Sequence, residues 1–197
     1  RRTITADRSV NRDEIEADEL CLRLLEHRPA SDADLRFITR SLKMVTDLER
    51  IADLAVNICE RVEQLQGSPL LSPNHEIPRM AAIVQTMVRD VIDAFVGRDA
   101  PAARQVMRSD DDVDVLYHKL SEQLMRMMAT DPELVAPGIH LQAVAKFLER
   151  MGDHATNLAE QVVFMVHGDE IRHPGKLVSV SDAALALEPD AAGDGPT

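Results

Sequence analysis

Apolar residues in this chain recur three and four positions apart, the period of helices that bury one face. Ile15, Leu20, Leu22 and Leu25 mark a first helix over 4–28, stopped by Pro29. Ser31-Asp32-Ala33-Asp34 has the form of a capping box, a side-chain cap followed three residues on by an acid. It predicts a second helix running to about Gln66, with Gly67 ending it. Ser68-Pro69 and Ser72-Pro73-Asn74 read as a linker. Pro78 opens a third helix, with Met80, Ile83, Val84, Met87, Val91 and Phe95 on one side. Gly97 and Pro101 interrupt the pattern, and a fourth helix runs to about Ala129. Asp131-Pro132 and Pro137-Gly138 are expected to form the next loop, followed by a fifth helix from His140 to His167 that Gly168 closes. No segment alternates with the period of two that a strand needs, so the fold class is all-α. From Pro174 onward the periodicity fades and turn formers take over, so 174–197 is expected to be a flexible tail.

The chain repeats itself. At an offset of 100, Leu48-Glu49-Arg50-Ile51-Ala52-Asp53 lies over Leu148-Glu149-Arg150-Met151-Gly152-Asp153, Asn57 over Asn157 and Glu60 over Glu160. The apolar seam repeats as well: Met44, Leu48, Ile51, Ala55, Ile58 and Val62 match Val144, Leu148, Met151, Ala155, Leu158 and Val162. An offset of 103 brings Asp7-Arg8-Ser9-Val10-Asn11 over Asp110-Asp111-Asp112-Val113-Asp114. Two copies of one helical unit result, a first repeat over 1–67 and a second over 76–173. The second copy has a long helix (about 78–97) ahead of Asp110, while only six residues precede Asp7 and no Met opens the chain. The expected architecture is two pseudo-symmetric three-helix bundles with the first helix of the first bundle missing from this sequence. A bundle so depleted would leave apolar surface uncovered.

Composition narrows the function. Of 197 residues, 34 are acidic and 22 basic, a formal net charge of −12, which argues against gripping nucleic acid. Apolar residues reach 45 % but aromatics only 3 %, so the core must be Leu, Val, Ile, Met and Ala, the palette of packed helices. No apolar run approaches the roughly 18 residues that span a bilayer. Nor does Arg1-Arg2-Thr3-Ile4 lead into a signal region. Cys21 and Cys59 fit no metal or redox spacing and read as reduced, buried residues of a cytoplasmic protein.

The acids that repeat carry the candidate chemistry. Residues four apart share a helix face, so Glu49/Asp53, Glu149/Asp153 and Asp110/Asp114 are same-face acid pairs. Asp7/Asn11 is an acid–amide version, and Asn57 and Asn157 extend two of the ladders by a turn. Like charges at this spacing cost a few tenths of a kcal/mol per pair. A solvated acidic face is the plainer reading of any single pair, and the ladders lie away from the apolar seam. Duplication of the pattern with carboxamides following the acids favours a use: two aligned ladders would offer a cation four to six hard oxygens. Such donors suit Mg, Mn, Ca or Fe better than a structural Zn site, and the neighbouring His118 and His154 extend the range to Fe, Mn or Zn. A ferritin-like carboxylate-bridged oxidoreductase or storage protein would need Glu-x-x-His pairs, and the sequence has none. It also lacks a phosphate loop and a nucleophilic triad, so no enzymatic function is expected. A purely structural helical dimerisation module is the remaining alternative.

The doubled Leu48–Asp53 and Leu148–His154 segments closely resemble the paired E-R-I-G-D motifs of the PhoU family. Asp7-x-x-x-Asn11, Asp110-x-x-x-Asp114, Ser31-Asp32-Ala33-Asp34-Leu35-Arg36 and His167-Gly168-x-x-x-Arg172-His173 extend the resemblance over residues 4–173. It implies two pseudo-symmetric three-helix bundles, many family members being homodimers. It also implies a negative regulator of the phosphate-starvation response and of phosphate uptake, working as a non-enzymatic adaptor. The implied partners are the ATPase subunit of the Pst phosphate transporter and the phosphate sensor histidine kinase, reached from the cytoplasm by peripheral association. The metal positions carried over are Asp7, Asn11, Glu49, Asp53 and Asn57 in one half and Asp110, Asp114, Glu149, Asp153 and Asn157 in the other. Ala52 and Asn11 depart from the family pattern, which implies weaker metal binding in the first half.

Overall fold

The computed structural model describes residues 2–27, 31–67 and 75–168, with residues 2–8 and 27 described by their backbone only. The expected tail (174–197), the linker (68–74) and residues 172–173 lie outside them. Five helices account for almost all of the described chain: α1 Arg2–His27, α2 Asp32–Gln64, α3 Glu76–Gly97, α4 Ala100–Thr130 and α5 Val135–His167. A single 3-10 turn, Pro132–Leu134, joins α4 to α5. The described residues contain no strand, as the periodicity requires.

Local chemistry fixes the helix ends. The Ser31 hydroxyl accepts from the Asp34 backbone N–H at 3.2 Å, and the Asp34 carboxylate accepts from Ser31 N–H, closing the capping box that opens α2. At the α3–α4 corner Arg98 takes the left-handed conformation (φ 52°), and Asp99 caps α4 by accepting from Ala102 N–H at 2.9 Å. Gly168 closes α5 at φ 79°. One boundary differs from expectation: Pro137 and Gly138 are not a loop but lie, buried, in the opening turns of α5. Pro137 occupies the third helical position, where an N–H has no acceptor within the helix to lose. Gly138 is where α4 comes closest, since a Cβ there would stand 2.7 Å from Met128 Cγ and Sδ.

Helix α5 is the spine, packed by α2, α3 and α4, while among the described residues α1 packs on α2 alone. Met80, Val84, Met87 and Val91 from α3 interdigitate with Ala103, Val106, Val113, Leu120 and Leu124 from α4 and with the Val144–Val162 stripe of α5. The one buried polar residue of this core, Gln161, accepts from Arg40 of α2 at 3.0 Å, and the Arg40 guanidinium lies 3.5 Å over the Phe164 ring.

The two repeats are covered unequally. Val162 is fully buried, but its counterpart Val62 is 50 % exposed. Ile15, Leu20 and Leu22 of α1 are more than half exposed. A hollow of about 460 Å³ opens between α1, α2 and the outer edge of α3, lined by Leu20, Leu24, Met44, Leu48, Ile92 and Val96 among others. A second, of about 420 Å³, continues past Val45, Ile51 and Ala55. Among the described residues no helix stands to α1 and α2 as α3 stands to α4 and α5.

Candidate metal centres

The acidic ladders do not simply face water, as helical angles alone suggest; they line the grooves where helices meet. In the second repeat Asp110 and Asp114 come from α4, Glu149 and Asp153 from α5. Gly152 makes the close approach possible: a Cβ there would lie 2.7 Å from Asp110 Oδ1. Burial pushes the Asp110 carboxyl up to about 6, with Asp153 and Asp114 adding to the rise. The nearby Thr156 hydroxyl opposes the rise, without a hydrogen bond of full geometry. Asp153 is raised too, by burial first and then by Glu149 and Asp114. These mutual effects show that the structure brings all four acids together.

One cation of the chain already sits here. Lys146 Nζ lies 2.6 Å from Glu149 Oε1, an interaction that raises the ammonium's pKa. Its partner oxygen, Glu149 Oε2, is buried with no hydrogen-bond partner, as is Asp110 Oδ1. Buried oxygens without donors are costly, and carboxylates in that state are what a bound cation satisfies.

In the first repeat Glu49 and Asp53 on α2 are spanned by Arg50, at 3.5 Å and 3.6 Å. Burial raises Glu49, and so do Asp53 and Glu14, the latter reaching across from α1. Asn11 Oδ1, on the same α1 face, is buried without a partner. The Asp7 side chain lies outside the described part. Asn57 and Asn157 are half-buried on their ladders.

Sequence reasoning missed Glu14, Thr156, Lys146 and Asp47. Helical spacing held the first three: Glu14 follows Asn11 by three, Thr156 follows Asp153 by three, and Lys146 precedes Glu149 by three. Asp47 had no such signal, because it meets His154 only across the α2–α5 contact, where His154 Nδ1 lies 2.8 Å from Asp47 Oδ1. A carboxylate can only accept, so Nδ1 carries the hydrogen in this contact. His118 is exposed and turns its Nδ1 to the Asp114 backbone carbonyl at 2.8 Å.

The donor set fits a hard divalent cation in kind: carboxylates with a hydroxyl or carboxamide and no thiol. Among the described residues no three His, Cys, Asp or Glu side chains converge closely enough to hold an ion as they stand.

Similarity to known proteins agrees with the repeat. The PhoU domain family matches residues 1–62 and 77–162, both copies of the unit. The chain is 38 % identical over 183 residues to the phosphate-specific transport system accessory protein PhoU homolog of Zymomonas mobilis, covering 92 % of this chain and 77 % of that protein. Identity to the Pseudomonas aeruginosa homolog is 37 % over 173 residues, 86 % of this chain and 70 % of the relative. The crystal structure of PhoU from P. aeruginosa superposes with a TM-score of 0.81 at 35 % identity, over 85 % of this chain and 81 % of that one. PhoU from Streptococcus pneumoniae, a phosphate transport system regulatory protein, gives 0.80 at 26 % identity, over 87 % and 80 %. With both repeats matched and relatives this similar along most of its length, the chain belongs to the PhoU family.

Proposed function

We propose that this protein is an accessory regulator of phosphate transport that represses phosphate uptake and the phosphate-starvation response. It acts by docking and makes or breaks no bond. Its partners are the ATPase subunit of the Pst phosphate transporter and the sensor histidine kinase of the phosphate response, met in the cytoplasm by a homodimer. The observation that carries the reading is the match of both repeats to the PhoU domain, with relatives named for the phosphate-specific transport system. No described helix is long and apolar enough to cross a membrane.

The acidic seams would hold divalent Fe, Mn, Mg or Zn: Asp110, Asp114, Glu149, Asp153 and Asn157 in one, and Asp7, Asn11, Glu49, Asp53 and Asn57, joined by Glu14, in the other. A bound cation supplies positive charge between helices that otherwise repel. The chain's own acids set the seam's geometry, Gly152 admits Asp110 to it, and Lys146 and Arg50 compensate part of the charge from the rim. A docking face of this kind presents a partner with a potential that depends on its occupancy.

Alkaline phosphatase activity in phosphate-rich medium tests the regulator reading. In a host deleted for its own copy, activity should be high, and the full-length gene should bring it down. Complementation with Asp53→Ala combined with Asp153→Ala should leave it partly elevated. Unchanged low activity in the deletion strain, or full repression by the double variant, would count against the regulator reading and against the seams' part in signalling respectively.

A further inference from the structure

The α4–α5 seam contains one more charged group than its pattern of acids requires, and the repeat shows that this group is not generic. Lys146 Nζ is 2.6 Å from Glu149 Oε1 and 5.3 Å from the centre of the Tyr117 ring, a seat between a carboxylate and an aromatic face. In the first repeat Glu49 keeps the carboxylate, but neither the lysine nor the ring exists. Residue 46 is Thr, with its hydroxyl turned to the Leu42 carbonyl, and the residue matching Tyr117 is Glu14. There the compensating cation is Arg50, on the outer rim and with longer contacts of 3.5 and 3.6 Å.

We propose that Lys146 is a tethered competitor for the α4–α5 seam: its ammonium holds the oxygen of Glu149 that a divalent cation must share, and metal enters by displacing it. This rests on the reading of the seam as a metal site. The geometry supports competition over cooperation. Glu149 is largely enclosed, 13 % exposed, and its two oxygens differ in their surroundings. One holds Lys146, and the other, Oε2, is buried beside the acids with no partner. An ammonium and a divalent cation on the same enclosed carboxylate repel each other at short range. The lysine is the one free to leave, its side chain being 46 % exposed and on a flexible stem. With the seam empty of metal, Lys146 keeps Glu149 seated against three neighbouring acids; the same contact raises the cation concentration at which the seam fills.

Titration of the whole chain with Mn(II), read as the electron-paramagnetic signal of the free ion, tests this. Lys146→Gln should tighten binding roughly fivefold to tenfold, the size of one charge-assisted contact at a half-exposed site. Lys146→Arg, which keeps the charge, should stay within about twofold of the parent, as should Lys43→Gln, which removes one exposed charge elsewhere on the surface. Adding Glu149→Gln to Lys146→Gln should erase the gain, with helicity by circular dichroism confirming that each variant is folded. Parent protein that binds Mn(II) while Lys146→Gln gains no more than Lys43→Gln overturns the competitor role alone. If neither parent nor Lys146→Gln takes up Mn(II), the metal reading of the seam falls and the competitor role with it.

Discussion

Asp110 shows most directly what the seam imposes on one residue. Its carboxyl is pushed up from the usual 3.8 to about 6, because burial and three neighbouring acids disfavour its charge. A raised carboxyl favours the fold while it is protonated in both states, below about pH 4, and that contribution is lost as the pH climbs through 6. In chelator-treated protein, Asp110→Asn should therefore raise stability at pH 7.5 by about 1–2 kcal/mol, less than the full shift because the group is half open to solvent. At pH 4 the variant and parent should melt together. Thermal melts across that range check it, and a variant less stable at pH 7.5 would mean that the charge is needed for folding. Gly152 gives meaning to a departure visible in the sequence: its missing Cβ is what admits Asp110, and the first repeat has Ala52 at the matching place. The sequence showed the four acids of the second seam by helical spacing. It could not show the enclosure of Asp110 and Glu149, because angles about one helix say nothing of how near the next helix comes.

Among the elements, the helices were legible because their punctuation is chemical: a capping box at Ser31, Asp99 with Pro101 at α4, Gly168 after α5. Pro137-Gly138 misled for the same reason, since both residue types break helices in general and are tolerated in this first turn by position and by the nearness of Met128. Helix α1 makes the sharper point. Its apolar residues recur at helical spacing like those of α4, yet among the described residues it packs on α2 alone, and Leu20 remains 51 % exposed. Apolar spacing marks a face to be covered without saying what covers it. In this chain Leu20→Asn with Leu24→Asn should change stability by no more than about 0.5–1 kcal/mol and lower the fluorescence of a dye that binds apolar surface. Leu120→Ala, in the fully buried stripe of α4, should cost about 2–5 kcal/mol. Urea unfolding of the three proteins, with midpoints and slopes compared, separates the cases. A large loss from the α1 variant would mean that this groove is filled in solution.

Across the whole molecule, the two repeats meet where α2 crosses α5, and there their symmetry is broken by chemistry. Asp47 and His154 form a 2.8 Å pair at that crossing, each side chain only 19 % exposed, while the positions that match them in the repeat are Phe147 and Leu54. The polar pair stands within two residues of Glu49 on one side and beside Asp153 on the other, so it ties the backbones that carry the two acidic ladders. Removing one partner strands the other in a half-buried site, and that should cost about 1–3 kcal/mol for either Asp47→Ala or His154→Ala. Removing both relieves the stranded group, so the double variant should lose clearly less than the sum, with a coupling of about 1–2 kcal/mol. Denaturant unfolding of the four proteins at pH 7.5 gives the cycle. Additive losses would mean that the pair is a contact of convenience and the two repeats are joined by apolar packing alone. A coupling of the expected size would make this hydrogen bond a structural element through which a change at one ladder reaches the other.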